Sequence, residues 1–290
     1  MADDPTNTST GTATGTPAGA STGLPYRLKK CKYGNFLYNR QDRYIGRSLE
    51  VHGEHADAGV SLLMAMIEPG DFVVEAGANM GVDTVPLARR VGPKGHVLAI
   101  EAQRIVHQLL CANVALNGLA NVTAPWCAIG GKAGEMVVPP LDYGRADNFG
   151  NVVLKTKGAG ERVPVVTVDQ FELPRCALIK IDVEGMEREV LLGAADTIKR
   201  YKPILYVENE GGATSPPLIR HLLDLGYYLF WHMAPLFNAR NFAGKADDIF
   251  SNAMSYNMLC IPPGHPKETM TRDLRAVMGV EDVAMERRQT

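Results

Sequence analysis

The sequence predicts an α/β fold: a mainly parallel sheet with helices on both faces and a β appendage at its N-terminal side. Two observations lead there. From Asp71 onward, short apolar strand-like runs alternate with helix-like segments, and that alternation calls for parallel strands joined by crossover helices. The chain is also 290 residues long, with 46% hydrophobic and 21% charged residues, enough to bury one large core and ordinary for a globular protein. No internal repeat interrupts the pattern.

Taken in order, residues 1–24 are rich in Thr, Gly and Ala and nearly free of large apolar side chains, so they read as a disordered tail. They lack the basic start and apolar centre of a signal peptide. Residues 25–54 form the appendage, with "YRLKKCKYGNFLYN" as a hairpin turning near Tyr33-Gly34-Asn35. The main domain is expected over residues 55–265. Within it, "ADAGVSLLMAMI" is a helix stopped by Pro69-Gly70, "DFVVEAG" a strand, "GVDTVPLARRV" a helix, and "GHVLAIEA" a strand. "RIVHQLLCANVALNG" is a helix ending at Gly118, and "NVTAPWCAI" is a third strand. Residues near 130–167, with Pro139-Pro140 and several glycines, are expected as a β-rich insertion. The alternation resumes with "CALIKIDV" as a strand, "EGMEREVLLGAADTIKR" as one helix and "PILYVENE" as a strand. "SPPLIRHLLDLGY" starts a helix at its prolines, followed by strands "YYLFWHM" and "YNMLCIPP". Residues 266–290 are expected as a helical tail, from "PKETMTRDLRAVMG".

Composition excludes several classes of partner. A formal net charge of −2 gives no electrostatic footprint for nucleic acid, and no apolar run has the length of a membrane span. The five cysteines are scattered, odd in number and without CxxC spacing. They are expected as reduced, mostly buried thiols in a cytoplasmic enzyme, with neither disulfides nor a zinc site.

The most informative stretch is "FVVEAGANMG", residues 72–81, where an acid ends a buried strand and a glycine turn follows. Ligands of such sheets sit at the carboxyl ends of the strands. Gly77 lets the chain turn, and Gly81 lets the next helix approach closely. The N–H groups at that helix start suit a carboxylate or a phosphate. The spacing GxxxG is neither the dinucleotide fingerprint GxGxxG nor a phosphate-binding GK[ST] loop. A second acid, Glu101, ends the next strand, where a carboxylate suits a ribose diol, while Glu75 is placed to face an ammonium group. An amino acid carried on a nucleoside meets these demands, and S-adenosyl-L-methionine is such a ligand. The expected cofactor set is Glu75, Gly77, Asn79 and Gly81 in the turn, Glu101 and Ala102 after the second strand, and Ala128 in the third.

Three blocks, "FVVEAGANMG", "VLAIEAQ" and above all "LIKIDVEGMEREVLLGA", resemble the FkbM family of S-adenosylmethionine-dependent methyltransferases. The resemblance runs from about Gly53 to Pro262 and takes in "GEHADAGVSLL", "DNFGN" and "NMLCIP". Glu75 stands where that family more usually has Asp. The resemblance implies a class I, Rossmann-like methyltransferase that methylates a hydroxyl of a sugar, glycoconjugate or secondary metabolite. Its expected partner is a small-molecule or glycan acceptor, and whether copies of the chain assemble is left open.

A second group of acids ends the next two strands. Alternation places Lys180 and Asp182 opposite Ile179 and Ile181, with Glu184 opening a helix and Glu208-Asn209-Glu210 ending the neighbouring strand. Clustered acids repel unless a cation, a proton or a hydroxyl substrate relieves them. Three readings stand side by side. Glu184 is a partner of the helix N-terminus; or Asp182, Glu208 and Asn209 hold Mg²⁺ through oxygen; or Asp182, Glu184 and Glu208 hold and deprotonate a substrate hydroxyl. His232, at the end of "YYLFWHM", is the histidine best placed as base, with His52 and His55 as alternatives that cover the pocket. Two rival functions remain: a nucleotide-cofactor oxidoreductase on a similar sheet, which the missing GxGxxG disfavours, and a non-catalytic S-adenosylmethionine-binding module, which would not need the acids.

Overall fold

The computed structural model describes residues 25–282, so the tail expected over 1–24 and the end of the chain lie outside the described residues. The appendage is a hairpin of β1 (Tyr26–Cys31) and β2 (Gly34–Asn39), turning at Lys32-Tyr33, followed by an unforeseen helix α1 (Ile45–Val51). Then come α2 (Asp57–Met66), β3 (Phe72–Ala76), α3 (Thr84–Val91), β4 (His96–Ile100), α4 (Arg104–Leu116) and β5 (Val122–Thr123). A small antiparallel-and-parallel sheet follows, β6 (Ala128–Ile129), β7 (Gly134–Val138) and β8 (Glu161–Val166), in order β6-β8-β7. The main sheet continues through β9 (Leu178–Ile181), α5 (Glu187–Leu192), α6 (Ala195–Tyr201), β10 (Ile204–Glu208), α7 (Ser215–Asp224), β11 (Tyr228–Pro235), β12 (Met254–Ile261) and β13 (Arg275–Ala276).

The eight strands lie in the order β13-β11-β12-β10-β9-β3-β4-β5. β5, β4, β3, β9 and β10 are parallel, and β12 enters antiparallel between β10 and β11. The strand order reverses between β3 and β9, which is where a crevice opens outside the carboxyl ends.

Period-2 alternation divides the core between the two faces. Val74, Ala76, Ile179, Ile181, Leu205 and Val207 point one way, under α5, α6 and α7 residues such as Val190, Ile198 and Leu222. Val73, Ala99, Leu178, Ile204 and Tyr206 point the other way, under Leu63 of α2, Leu87 of α3 and Leu110 of α4. The hairpin closes a third cluster, Phe36 and Tyr38 with Leu49, Val85 and Leu109. It is pinned to α4 because Asn113 accepts from the Leu37 N–H (2.6 Å) and donates to the Leu37 carbonyl (3.0 Å).

Three expected elements differ. "NVTAPWCAI" is two short strands, β5 at the edge of the main sheet and β6 in the small one, with Pro125 between them, a residue that donates no ladder hydrogen bond. "EGMEREVLLGAADTIKR" is two helices, broken where a Cβ on Gly193 would lie 2.1 Å from the Gly130 carbonyl. The C-terminal segment is a single 3-10 turn (Pro266–Thr271) followed by β13, which pairs with Phe230 and Trp231, so sheet pairing overrides its helical pattern.

Candidate active site

A cavity of about 560 Å³ opens outside the carboxyl ends of β3, β4, β9 and β10. Its floor is the turn after β3. Gly77 adopts φ +83°, and a Cβ there would stand 1.8 Å from the Asp182 carbonyl oxygen, so the turn touches the backbone after β9 directly. Asn79 is left-handed at φ +49°, and its N–H donates to Glu101 Oε2 (2.9 Å). Gly81, at φ +90°, would crowd Leu110 if it carried a side chain.

Glu101 is 7% exposed; its other oxygen accepts from the Gln103 N–H (2.8 Å). Burial pushes its pKa up to about 7 against the pull of those N–H donors. Glu101, Ala102 and Ala128 line the cavity with Gly77 and Asn79. Gly81 and Glu75 do not line it. Glu75 is fully buried beneath the turn, one oxygen accepting from Thr84 Oγ1 (2.6 Å) and the other without a hydrogen bond among the described residues. Burial lifts its pKa to about 8, with Lys180 opposing the rise. The expectation that Glu75 faces a ligand's ammonium group is therefore corrected: alternation along β3 turns it onto the helix side of the sheet, toward α3.

Across the cavity, one carboxylate oxygen each from Asp182, Glu184 and Glu208 lie within 4.8 Å of one another. Burial, then the neighbouring carboxylates, pushes Glu184 up to about 7 and Glu208 well above the usual carboxylate range. Glu184 sits in the left-handed region at φ +47°, a strained backbone for a non-glycine residue at the cavity wall. Glu184 does not begin a helix, since α5 starts at Glu187, and this removes its role as a helix-terminus partner. Asn209 is corrected as well. Its side chain leaves the cavity, donating to Met258 Sδ (3.5 Å) and accepting from the Gly211 N–H (3.2 Å), because consecutive residues at a strand end point to opposite faces.

His232 does not line the cavity. Its Nδ1 meets the Tyr206 hydroxyl at 2.8 Å, and Tyr206 is the wall residue. His52 is taken up by the Asp247 carbonyl (2.9 Å). His55 does line the cavity; its Nδ1 has no hydrogen bond among the described residues, and burial drops its pKa to about 4.

Two residues were not anticipated. Lys180 is 8% exposed and its Nζ lies 3.1 Å from both Asp83 and Asp182. Burial opposes its charge, but Asp182, Asp83 and Glu75 outweigh that and hold it protonated well above its ordinary range. Asp83 lies between the glycine turn and α3, and the spacing of Lys180 two before Asp182 was the available signal for the pair. Asn148, Gly150 and Asn151 of "DNFGN" also line the cavity, as do Asn252 and Ala253 from the β11–β12 connection and Met254 at the start of β12.

A family model described as "Methyltransferase FkbM domain" matches residues 75–229, over half of the 290 residues. The methyltransferase sdnD of Sordaria araneosa is 28% identical over 167 residues, covering 45% of this chain and 62% of that relative, so the chain spans less than two thirds of its length. A protein-L-isoaspartate O-methyltransferase of Methanothermobacter thermautotrophicus is 23% identical over 175 residues, covering 60% of this chain and 73% of the relative. Among solved structures, a methyltransferase FkbM from Methylobacillus flagellatus KT aligns with TM-score 0.42 and 18% identity, over 65% of this chain and 43% of that one. With its glycine turn, its "KIDVEGME" block and the domain match across most of the parallel sheet, the chain belongs to the FkbM family of S-adenosylmethionine-dependent methyltransferases.

Proposed function

We propose that the protein transfers a methyl group from S-adenosylmethionine to a hydroxyl of a sugar, glycoconjugate or secondary metabolite. The observation that carries this reading is that the glycine turn and the Asp182–Glu184–Glu208 cluster face one cavity from adjacent strand ends. The chain's own groups suit both halves. The Asn79 and Gln103 N–H groups fix Glu101 at the end of β4, where a carboxylate accepts from a ribose diol. The volume of about 560 Å³ lies within the range of ligand cavities. The cofactor supplies an activated methyl group bound to a sulfonium. Opposite, the carboxylates orient the acceptor hydroxyl and receive its proton, with proximity supplying much of the rate. The lifted pKa of Glu184, about 7, places a proton acceptor near neutral pH, where general-base catalysis is effective, beside Glu208, which burial and the neighbouring carboxylates also push up.

A second reading keeps the same reaction but adds Mg²⁺. It rests on the three oxygens within 4.8 Å, with Glu184 in the place first expected for Asn209. Chelator separates the two: full transfer in its presence retains the metal-free form, and a loss restored by Mg²⁺ selects the other. Four of the five free thiols are buried, in keeping with a reducing, cytoplasmic setting. The acceptor test is incubation with labelled S-adenosylmethionine and fractionated glycans and metabolites. Label in a hydroxyl-bearing compound is the expected result, and label only on nitrogen or carbon overturns the O-methylation.

A further inference from the structure

Among the described residues, Lys180 is the one basic side chain lining the cavity besides the histidine His55, against the acids Asp83, Glu101, Asp182, Glu184, Glu208 and Glu210. It is not free to swing out. β9 holds it in register between Glu75 of β3 and Tyr206 of β10, and its Nζ is shared between Asp83 and Asp182 at 3.1 Å each. A cation so constrained has a defined electrostatic consequence for a ligand whose charge changes during reaction.

Methyl transfer to oxygen forms a C–O bond and breaks the C–S bond. The electron pair returns to sulfur, which passes from sulfonium to neutral thioether, and the acceptor's proton leaves to a cavity carboxylate. Positive charge on sulfur is therefore largest before the transition state. Carboxylates left uncompensated near it stabilise the ground state more than the transition state, which slows the chemical step. We propose that Lys180 is a specificity-determining residue: by tying up Asp83 and Asp182, it limits the cavity's preference for the sulfonium form over the thioether product. This inference rests on the cofactor occupying the described cavity. Two cavity carboxylates stripped of their shared ammonium act on a nearby unit positive charge by on the order of tenfold in affinity.

The test is calorimetry on the full chain with S-adenosylmethionine and S-adenosylhomocysteine, reading the ratio of their two affinities. Lys180→Met is expected to shift the ratio about tenfold toward S-adenosylmethionine. Asp182→Asn, with its smaller risk to folding, shifts it the other way, and Lys180→Arg leaves it close to wild type. A merely structural lysine would weaken both ligands together and leave the ratio unmoved. A ratio unchanged within about twofold in Lys180→Met and in Asp182→Asn, or a shift of opposite sign, overturns the inference. Failure of wild-type protein to bind either ligand overturns the cofactor placement itself, and this inference with it.

Discussion

The turn from Glu75 to Thr84 and the carboxylates Asp182, Glu184 and Glu208 face one cavity, yet they are held in opposite ways. The turn is closed on itself: the Asn79 N–H reaches Glu101, the Met80 N–H reaches Asn79 Oδ1 (2.7 Å), and Thr84 reaches Glu75. The side chains of Glu184 and Glu208, by contrast, make no hydrogen bond or ion pair among the described residues, and the repulsion of neighbouring carboxylates adds to burial in lifting both pKa values. A satisfied, rigid turn is a preformed binding surface, whereas frustrated carboxylates store a demand that a proton, a cation or a hydroxyl relieves. The two regions meet where Gly77 packs on the Asp182 carbonyl, beside a hydrogen bond from the Asp182 N–H to the Ala76 carbonyl (3.0 Å) and the Lys180 bridge between Asp83 and Asp182.

Breaking that contact has the largest expected effect. Gly77→Ala places a Cβ 1.8 Å from the Asp182 oxygen at a φ of +83°, so it should cost about 3 kcal/mol or more of stability. Urea denaturation measures it, and a loss below about 1 kcal/mol would show that the turn and the β9 end move independently. The next effect belongs to the carboxylates alone. Asp182→Asn should lower methyl transfer by about a hundredfold or more while S-adenosylhomocysteine affinity stays within about threefold, as calorimetry beside a label-transfer assay reports. Full transfer in this variant would remove the cluster from the mechanism.

Glu101→Ala sharpens the turn's side of the contrast. It leaves the Asn79 and Gln103 N–H groups without an acceptor, and S-adenosylhomocysteine affinity should drop by about 1–3 kcal/mol. Unchanged affinity would displace the ribose from this carboxylate.

Titration probes both regions in one experiment. Glu75 at about 8 and Glu184 at about 7 lie above their ordinary 4.5, so in this interval the folded protein holds protons that the unfolded chain has released. Their contribution to stability is full below pH 4.5 and is lost as pH rises through 7 and 8. The melting temperature of ligand-free protein should therefore carry a declining component from pH 5 to pH 8. Glu75→Gln should flatten it more than Glu184→Gln does, because Glu75 is the more strongly shifted. An identical slope in wild type and Glu75→Gln would mean Glu75 is charged in the folded state. The smallest effect is expected from His232→Ala, which removes the partner of the Tyr206 hydroxyl and should cost about 1 kcal/mol of stability with cofactor affinity intact.

Much of this protein follows from local sequence. The alternation of strands and helices, the glycine turn and the acids closing β3, β4, β9 and β10 are set by periodicity and by the backbone freedom of Gly77 and Gly81, properties carried by a few neighbouring residues. What those acids touch is decided elsewhere. Glu75 and Glu101 read alike as strand-end carboxylates, but the face of the pleat sends one beneath the turn to Thr84 and leaves the other on the cavity wall. Asn209 follows Glu208 directly and still points to Met258, while Glu184 joins Asp182 through a left-handed residue that no pattern announces. His232 of β11 meets Tyr206 of β10 across β12, the antiparallel strand inserted between them, and Lys180 finds Asp83 across β3. Side-chain partnership at a sheet's carboxyl edge depends on which strands become neighbours, and that order is fixed by packing of the whole domain.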